Sequence, residues 1–365
     1  MNPENRNMIL AIALSMSVLF GWQVFVVGPE LEKEAARQQA IAEMQAEEAA
    51  ADSTNDAPTA QTTTGTTAST TPGTVTESRP ADTAPRIVID APLVSGSISL
   101  AGLRIDDVML KAFRETQSKD SPNIQFLKKT SSDSPYFAEF GWASAGGEQP
   151  MPTADSRWSA SSMVLAPNQP VTLTWDNGEG LTFRRVLTIN EDYLITVDDS
   201  VESRLDMAVT LFPYGLVRRH GTPPTTGIYI LHEGALGVFD ETLREEDYDD
   251  IQDADRGVTE VKPETDGGWI GITDKYWLAA LVPDQSKRMT YAFKSLSGTE
   301  DRYQVDFIAA EGMILSPGGS VTSQTRLFAG AKIVTLLDQY SEEFGIPNFD
   351  LAIDFGWFYF LTKPF

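Results

Sequence analysis

Apolar residues are distributed along this chain in blocks of different period. From Met8 to Val27 no residue carries a charge. Twenty residues at 1.5 Å each span about 30 Å, the thickness of a bilayer's hydrocarbon core. Eleven of these positions are Leu, Ile, Val or Phe, each contributing roughly 0.3–0.6 kcal/mol at the membrane centre. The predicted anchor runs through Met8, Leu10, Leu14, Phe20, Trp22 and Val27, with residues 1–7 as a short leader. A cleaved signal peptide has a shorter apolar core, about 7–15 residues, and a small-x-small site. Val26-Val27-Gly28 fits that poorly. Arg6 ahead of the segment and Lys33 and Arg37 behind it nearly balance, so the positive-inside rule leaves the orientation open.

Residues 28–85 read as a tether. Glu30 to Ala51 is rich in Ala, Glu and Gln and predicts a solvated helix without an apolar stripe. Asp52 to Pro85 is Thr, Ala, Ser, Pro and Gly, too polar to offset its ordering entropy by burial. From Arg86 the pattern turns to short alternating or wholly apolar runs cut by Gly, Pro, Asp and Asn, the texture of an all-β domain. Strands are predicted at 86–90, 94–100, 105–110, 136–142, 171–176, 181–190 and 193–201. Further strands are predicted at 207–213, 228–231, 269–273, 277–282, 290–293, 303–309 and 321–328. Asp176-Asn177-Gly178-Glu179-Gly180 and Asn190-Glu191-Asp192 predict hairpin turns. So many strands in one body imply two large packed sheets rather than an immunoglobulin-like sandwich. One helix is predicted over Ala331–Phe344, where Ile333, Leu337, Tyr340 and Phe344 share a face and Gly345 and Pro347 end it.

Charge and chemistry narrow the functions available. The net charge of −24, from 28 basic and 52 acidic residues, argues against nucleic acid as a partner. With no cysteine, the chain has neither disulfides nor thiolate metal ligands. Only two histidines exist, His220 and His232. An acid–base reading would pair one with Glu233 on a sugar, as in a membrane-tethered carbohydrate-binding or mutarotase-like protein; the simpler reading is exposed loop polarity. The acidic run Asp240–Asp266 fails the calcium-loop spacing and reads as a solvated loop. No metal or cofactor is expected, and no enzymatic activity.

The last block is the most distinctive. Residues 346–365 end in Phe355-Gly356-Trp357-Phe358-Tyr359-Phe360-Leu361-Thr362-Lys363-Pro364-Phe365, aromatic rings beside a lysine, which suits the headgroup level of a membrane. An amphipathic interfacial helix is predicted, with Ile353, Phe355, Trp357, Phe358, Tyr359, Phe360 and Lys363 toward lipid. Asp350 and Asp354 lie on its exposed polar face.

Four stretches together carry a resemblance. They are Asn5-Arg6-Asn7 with the anchor ending Gly21-Trp22-Gln23, the low-complexity tether, Gly267-Gly268-Trp269-Ile270-Gly271-Ile272-Thr273-Asp274-Lys275-Tyr276-Trp277-Leu278, and the aromatic terminus. Over its whole length the chain resembles the YidC-type membrane protein insertases of Gram-negative bacteria. The resemblance implies a cytoplasmic N-terminus, an inner-membrane anchor, and a periplasmic β-supersandwich at residues 86–345 with a C-terminal helix. It also implies an interfacial helix at 346–365, with the lipid bilayer, nascent membrane proteins and the Sec translocon including SecDF as partners. The family's further membrane helices, with the hydrophilic groove and its arginine, are expected beyond Phe365, so no groove residue is assigned here.

Overall fold

A computed structural model describes residues 84–145, 149–224, 232–254, 258–296 and 301–354, with the side chains of residues 259–264 left aside. The predicted anchor, the tether up to residue 83, the strand at 228–231 and residues 355–365 lie outside the described residues. Among the described residues no helix is long and apolar enough to cross a membrane.

Two β-sheets face each other. Sheet I has eleven strands. Across it run Val258–Asp266, Arg288–Ser295, Arg302–Ala309, Val209–His220, Tyr136–Ser144, Ile105–Arg114, Val94–Ser99, Arg86–Asp90 and Val164–Leu165. Met313–Leu315 pairs with Val209–His220, and Asn123–Leu127 with Ile105–Arg114. Sheet II has nine. In order they are Thr242–Asp247, Gly234–Phe239, Trp269–Thr273, Trp277–Pro283, Ser320–Ala331, Leu194–Ser203, Leu181–Ile189, Val171–Asp176 and Ser159–Ala160. Neighbouring strands are antiparallel except Arg86–Asp90 against Val164–Leu165. The predicted fold, mainly β with two packed sheets and a C-terminal helix, is the fold observed.

Alternation explains which strands were legible. In Leu181–Ile189 the residues Leu181, Phe183, Arg185, Leu187 and Ile189 are buried while those between them are not. The hairpins form as their turn residues require. Gly178 (φ 74°) and Gly180 (φ 104°) take left-handed conformations, and the Asn177 side-chain oxygen accepts the Glu179 and Leu181 amides at 2.8 and 2.9 Å. Asn190 does the same for Asp192 and Leu194 at 3.1 and 3.0 Å.

Among the strands that the sequence pattern does not reveal, three have plain physical reasons. Gly234–Phe239 is buried on both faces, so it shows no alternation. Thr242–Asp247 is a charged edge strand, and Asn123–Leu127 pairs with Ile105–Arg114 through two register shifts that break its alternation. The acidic run Asp240–Asp266 is therefore not the loop expected of it. It holds Thr242–Asp247, a short helix α1 (Tyr248–Asp253) and Val258–Asp266, with Tyr248 and Ile251 buried.

Helix α2 spans Val334–Phe344, three residues shorter at its start than predicted, because Ala331 still pairs with Trp277 in sheet II. Leu336, Leu337 and Tyr340 are buried, whereas Ile333, expected on the apolar stripe, stays exposed. Gly345 ends the helix at φ 63°, its amide bonded to the Ser341 carbonyl.

Register settles where α2 lies. Phe239 of sheet II meets Tyr291 of sheet I with ring centroids 4.6 Å apart, which defines the inner face. Pairing of Gly237 with Ile270, Ile270 with Leu281 and Leu281 with Leu327 keeps those residues on it. Trp269 and Phe328, one position along, point outward. There they meet Tyr340 of α2 and Phe349 beyond it, which is why this part of sheet II is buried on both faces.

Candidate functional site: where the chain leaves the domain

The segment after α2 was predicted to open an interfacial helix at residue 346. The structure places residues 346–354 differently: they close the domain. Pro347 and Asn348, the latter left-handed at φ 48°, interrupt the helix, and among the described residues a single 3-10 turn, Phe349–Ala352, follows. Phe349 is fully buried edge-on between Trp269 (5.2 Å) and Phe328 (5.7 Å). The Trp269 indole N–H donates to the Pro347 carbonyl at 3.0 Å, and the Asn348 amide to the Glu241 carbonyl at 3.0 Å. Ile346 and Ala352 are buried, Ile353 half-buried against the core. Asp350, expected on an exposed face, is also buried, because this turn faces the sheet rather than a membrane. An aromatic slot in the sheet offers Phe349 more than solvent or a helix surface does.

Gly268 (φ 94°) is needed to bring Trp269 into that slot, since a side-chain carbon there would sit 2.5 Å from the Val238 carbonyl oxygen. The Gly-Gly-Trp stretch, one of those that carry the resemblance, is therefore in direct contact with Pro347 and Phe349.

Lys332 and Glu245 interact electrostatically with the last described residue, Asp354. The Lys332 ammonium lies 2.9 Å from the Thr273 hydroxyl. Burial pushes its pKa down to about 8, against the opposing pull of Asp274, Asp354, Glu233 and Glu245. Asp274 pairs with Arg219 at 2.6 Å, and the Arg219 guanidinium lies over the Tyr136 ring at 4.9 Å. Burial works against the Arg219 charge, but Tyr248, Asp274 and Tyr136 hold its pKa up. Burial likewise raises Tyr136 and Tyr248.

The histidines are not loop decoration. His232 is nearly buried, with Nδ1 3.0 Å from Asp247 and Nε2 2.9 Å from the Ala235 carbonyl oxygen. The carboxylate of Glu233 accepts the Lys275 backbone N–H at 3.1 Å. His220 ends the strand Val209–His220, its ring 6.3 Å from Phe137. Acid–base chemistry on a sugar finds no support in this arrangement, since His232 bonds the Ala235 carbonyl and the Asp247 carboxylate, and Glu233 the backbone of the turn at Lys275. Of the predicted membrane residues, Met8, Leu10, Leu14, Phe20, Trp22, Val27, Phe355, Trp357, Phe358, Tyr359, Phe360 and Lys363 lie outside the described residues.

Fold and exit together define a two-sheet β-sandwich module whose chain leaves through an aromatic lock. Residues 86–365 match the YidC periplasmic domain family, and the chain belongs to the YidC family. It is 43% identical over 368 residues to the membrane protein insertase YidC of Beijerinckia indica, covering all of this chain and 60% of that one. It is 44% identical over 381 residues to the insertase of Methylorubrum extorquens, covering all of this chain and 61% of that one. The insertase of Rickettsia bellii is 39% identical over 365 residues, with 100% and 62% covered. The chain thus spans about 60% of the length of the curated relatives it matches. A galactose mutarotase-like protein from Lactobacillus casei superposes with a TM-score of 0.46 at 11% identity, over 67% of this chain and 99% of that one. That likeness is too loose to carry an argument about activity.

Proposed function

We propose that this chain is the anchor and periplasmic module of a membrane protein insertase. It serves the insertion, folding and assembly of inner-membrane proteins, alone or with the Sec translocon and SecDF. In this reading residues 1–7 are cytoplasmic, 8–27 cross the inner membrane, 28–85 tether the domain, and 355–365 lie at the periplasmic interface. The observation that carries it is the contact of Trp269 with Pro347 and Phe349. It fixes the domain to the segment that precedes the aromatic run. The names and whole-chain identity of the relatives support the same reading.

The work is placement rather than covalent chemistry. Moving polar loops through hydrocarbon costs several kcal/mol per unsatisfied group. An insertase lowers that cost by presenting polar surroundings within the bilayer, and the role of this chain is to hold such a machine in position.

A chimera tests the proposal: residues 1–365 joined to the remainder of the Beijerinckia indica insertase, produced in cells depleted of their own. It should restore insertion of a reporter membrane protein. Charged replacements of Trp357 and Phe358 should abolish that rescue, and undiminished insertion would remove the interfacial role.

A further inference from the structure

The turn joining Trp269–Thr273 to Trp277–Pro283 is held unusually firmly for a surface hairpin. The Asp274 amide donates to the Trp277 carbonyl at 2.9 Å, and the Thr273 hydroxyl to the Asp274 carbonyl at 3.1 Å. Arg219 clamps the Asp274 carboxylate, Glu233 takes the Lys275 amide, and the Lys332 amide donates to the Tyr276 carbonyl at 3.0 Å. All this fixes the backbone while Tyr276 is left 59% exposed. Its ring lies 6.2 Å from that of Trp277, and the Lys275 ammonium stands 5.1 Å from its centre. Ile333, beside Lys332, is 39% exposed.

A backbone already ordered loses little further freedom when its exposed rings dock, so such a turn is suited to binding. Its position says to what. Lys332 bonds the turn and interacts with Asp354, the last described residue, after which come five aromatic rings in six positions. Tyrosine flanked by lysine, with an aliphatic neighbour, matches the headgroup layer of a bilayer. The nearby carboxylates of Asp274 and Asp354 and the net charge of −24 favour zwitterionic over anionic headgroups.

We propose that Tyr276 and Ile333 form a lipid contact through which the domain rests on the membrane. This rests on the reading of residues 355–365 as an interfacial segment. The domain then meets the bilayer at two adjacent places, the aromatic run and the pinned turn, and its orientation is restricted.

Residues 1–365 hold no cysteine, so the test is direct once any cysteine in the fused remainder is replaced by serine. Single cysteines replace Ile333, Phe358 or Met207 in the chimera above and carry an environment-sensitive fluorophore. The proteins are reconstituted in phosphatidylethanolamine–phosphatidylcholine vesicles, part of the phosphatidylcholine bearing a nitroxide on its headgroup. Met207, 55% exposed, adjoins the start of the strand Val209–His220, about 33 Å from the Arg219 end, and serves as the distant control. The label at Ile333→Cys should be quenched severalfold more than at Met207→Cys, and Tyr276→Ser in the same protein should at least halve that excess. Equal quenching at 333 and 207 with strong quenching at Phe358→Cys overturns the lipid contact and leaves the interfacial segment standing. Shielding of position 333 from an aqueous quencher without lipid quenching also overturns it, by showing that protein covers the patch. Indifference at Phe358→Cys overturns the reading on which the proposal rests.

Discussion

The outer faces of the two sheets solve the same problem in opposite ways. Sheet II turns Trp269 and Phe328 outward and covers them with its own chain, through Tyr340 and Phe349. Sheet I turns charge outward and satisfies it within the sheet. Lys294 bonds Asp306 at 2.7 Å, the Gln304 amide bonds Asp306 at 2.6 Å, and Arg218 bonds the Gln304 oxygen at 2.6 Å. Arg104 pairs with Glu139 at 2.8 Å and lies over Phe137 at 4.6 Å. Cross-strand pairing of Lys294 with Gln304, Gln304 with Arg218 and Arg218 with Phe137 makes this one row across four strands. An apolar face depends on a distant piece of chain, whereas a polar face of paired charges needs no cover. The first couples the domain to its C-terminal extension, and the second stands apart from it.

That contrast predicts the largest effect at the aromatic lock. Phe349→Ala empties a fully buried site and should cost about 3–5 kcal/mol. Urea denaturation of the β-sandwich domain measures it, and a loss under about 1 kcal/mol would mean the turn is not seated as described. The charged row should respond to pairing rather than volume. Asp306→Ala leaves the Lys294 ammonium, nearly buried, without its carboxylate, and should cost about 3 kcal/mol. Lys294→Met with Asp306→Leu should come back to within about 1 kcal/mol of the parent. A double-mutant cycle that proved additive would contradict the network.

The smallest effect is one of pH, at the boundary of the aromatic lock. Lys332 releases its proton near pH 8 when folded and near 10.5 when unfolded. Between these values the unfolded chain binds more protons, so stability should rise with pH. The full shift is worth about 3 kcal/mol, reduced to about 1–2 kcal/mol for a half-buried amine. The rise should be visible from about pH 8 to 9.5. Above that the buried tyrosines Tyr136, Tyr248 and Tyr340, whose pKa values burial raises, act in the opposite sense. Lys332→Met should flatten the rise in denaturation midpoints, and an unchanged profile would remove Lys332 as its source.

Much of this fold was legible in the chain because burial on one face leaves an alternating trace, as in Leu181–Ile189. The trace vanishes where both faces are covered, as in Gly234–Phe239, or where neither is apolar, as in Thr242–Asp247. The exit was only half legible. The composition of residues 346–365 marks the segment as unusual. The bond from Trp269 to Pro347 joins positions 78 apart, and no local period reports a pairing at that separation. Burial of Asp350 was hidden too: its spacing from Asp354 suits a helix, but the 3-10 turn ends between them at the extended Ile353.

The stack of Phe349 between Trp269 and Phe328 also has a mechanical meaning. Load applied to the polypeptide just past Asp354 would be taken up by rings wedged across the middle of a nine-stranded sheet rather than by stretching a linker. Within the described residues the lock thus makes the stretch Ile346–Asp354 part of the sandwich, so a pull that reaches Asp354 loads the sheet directly.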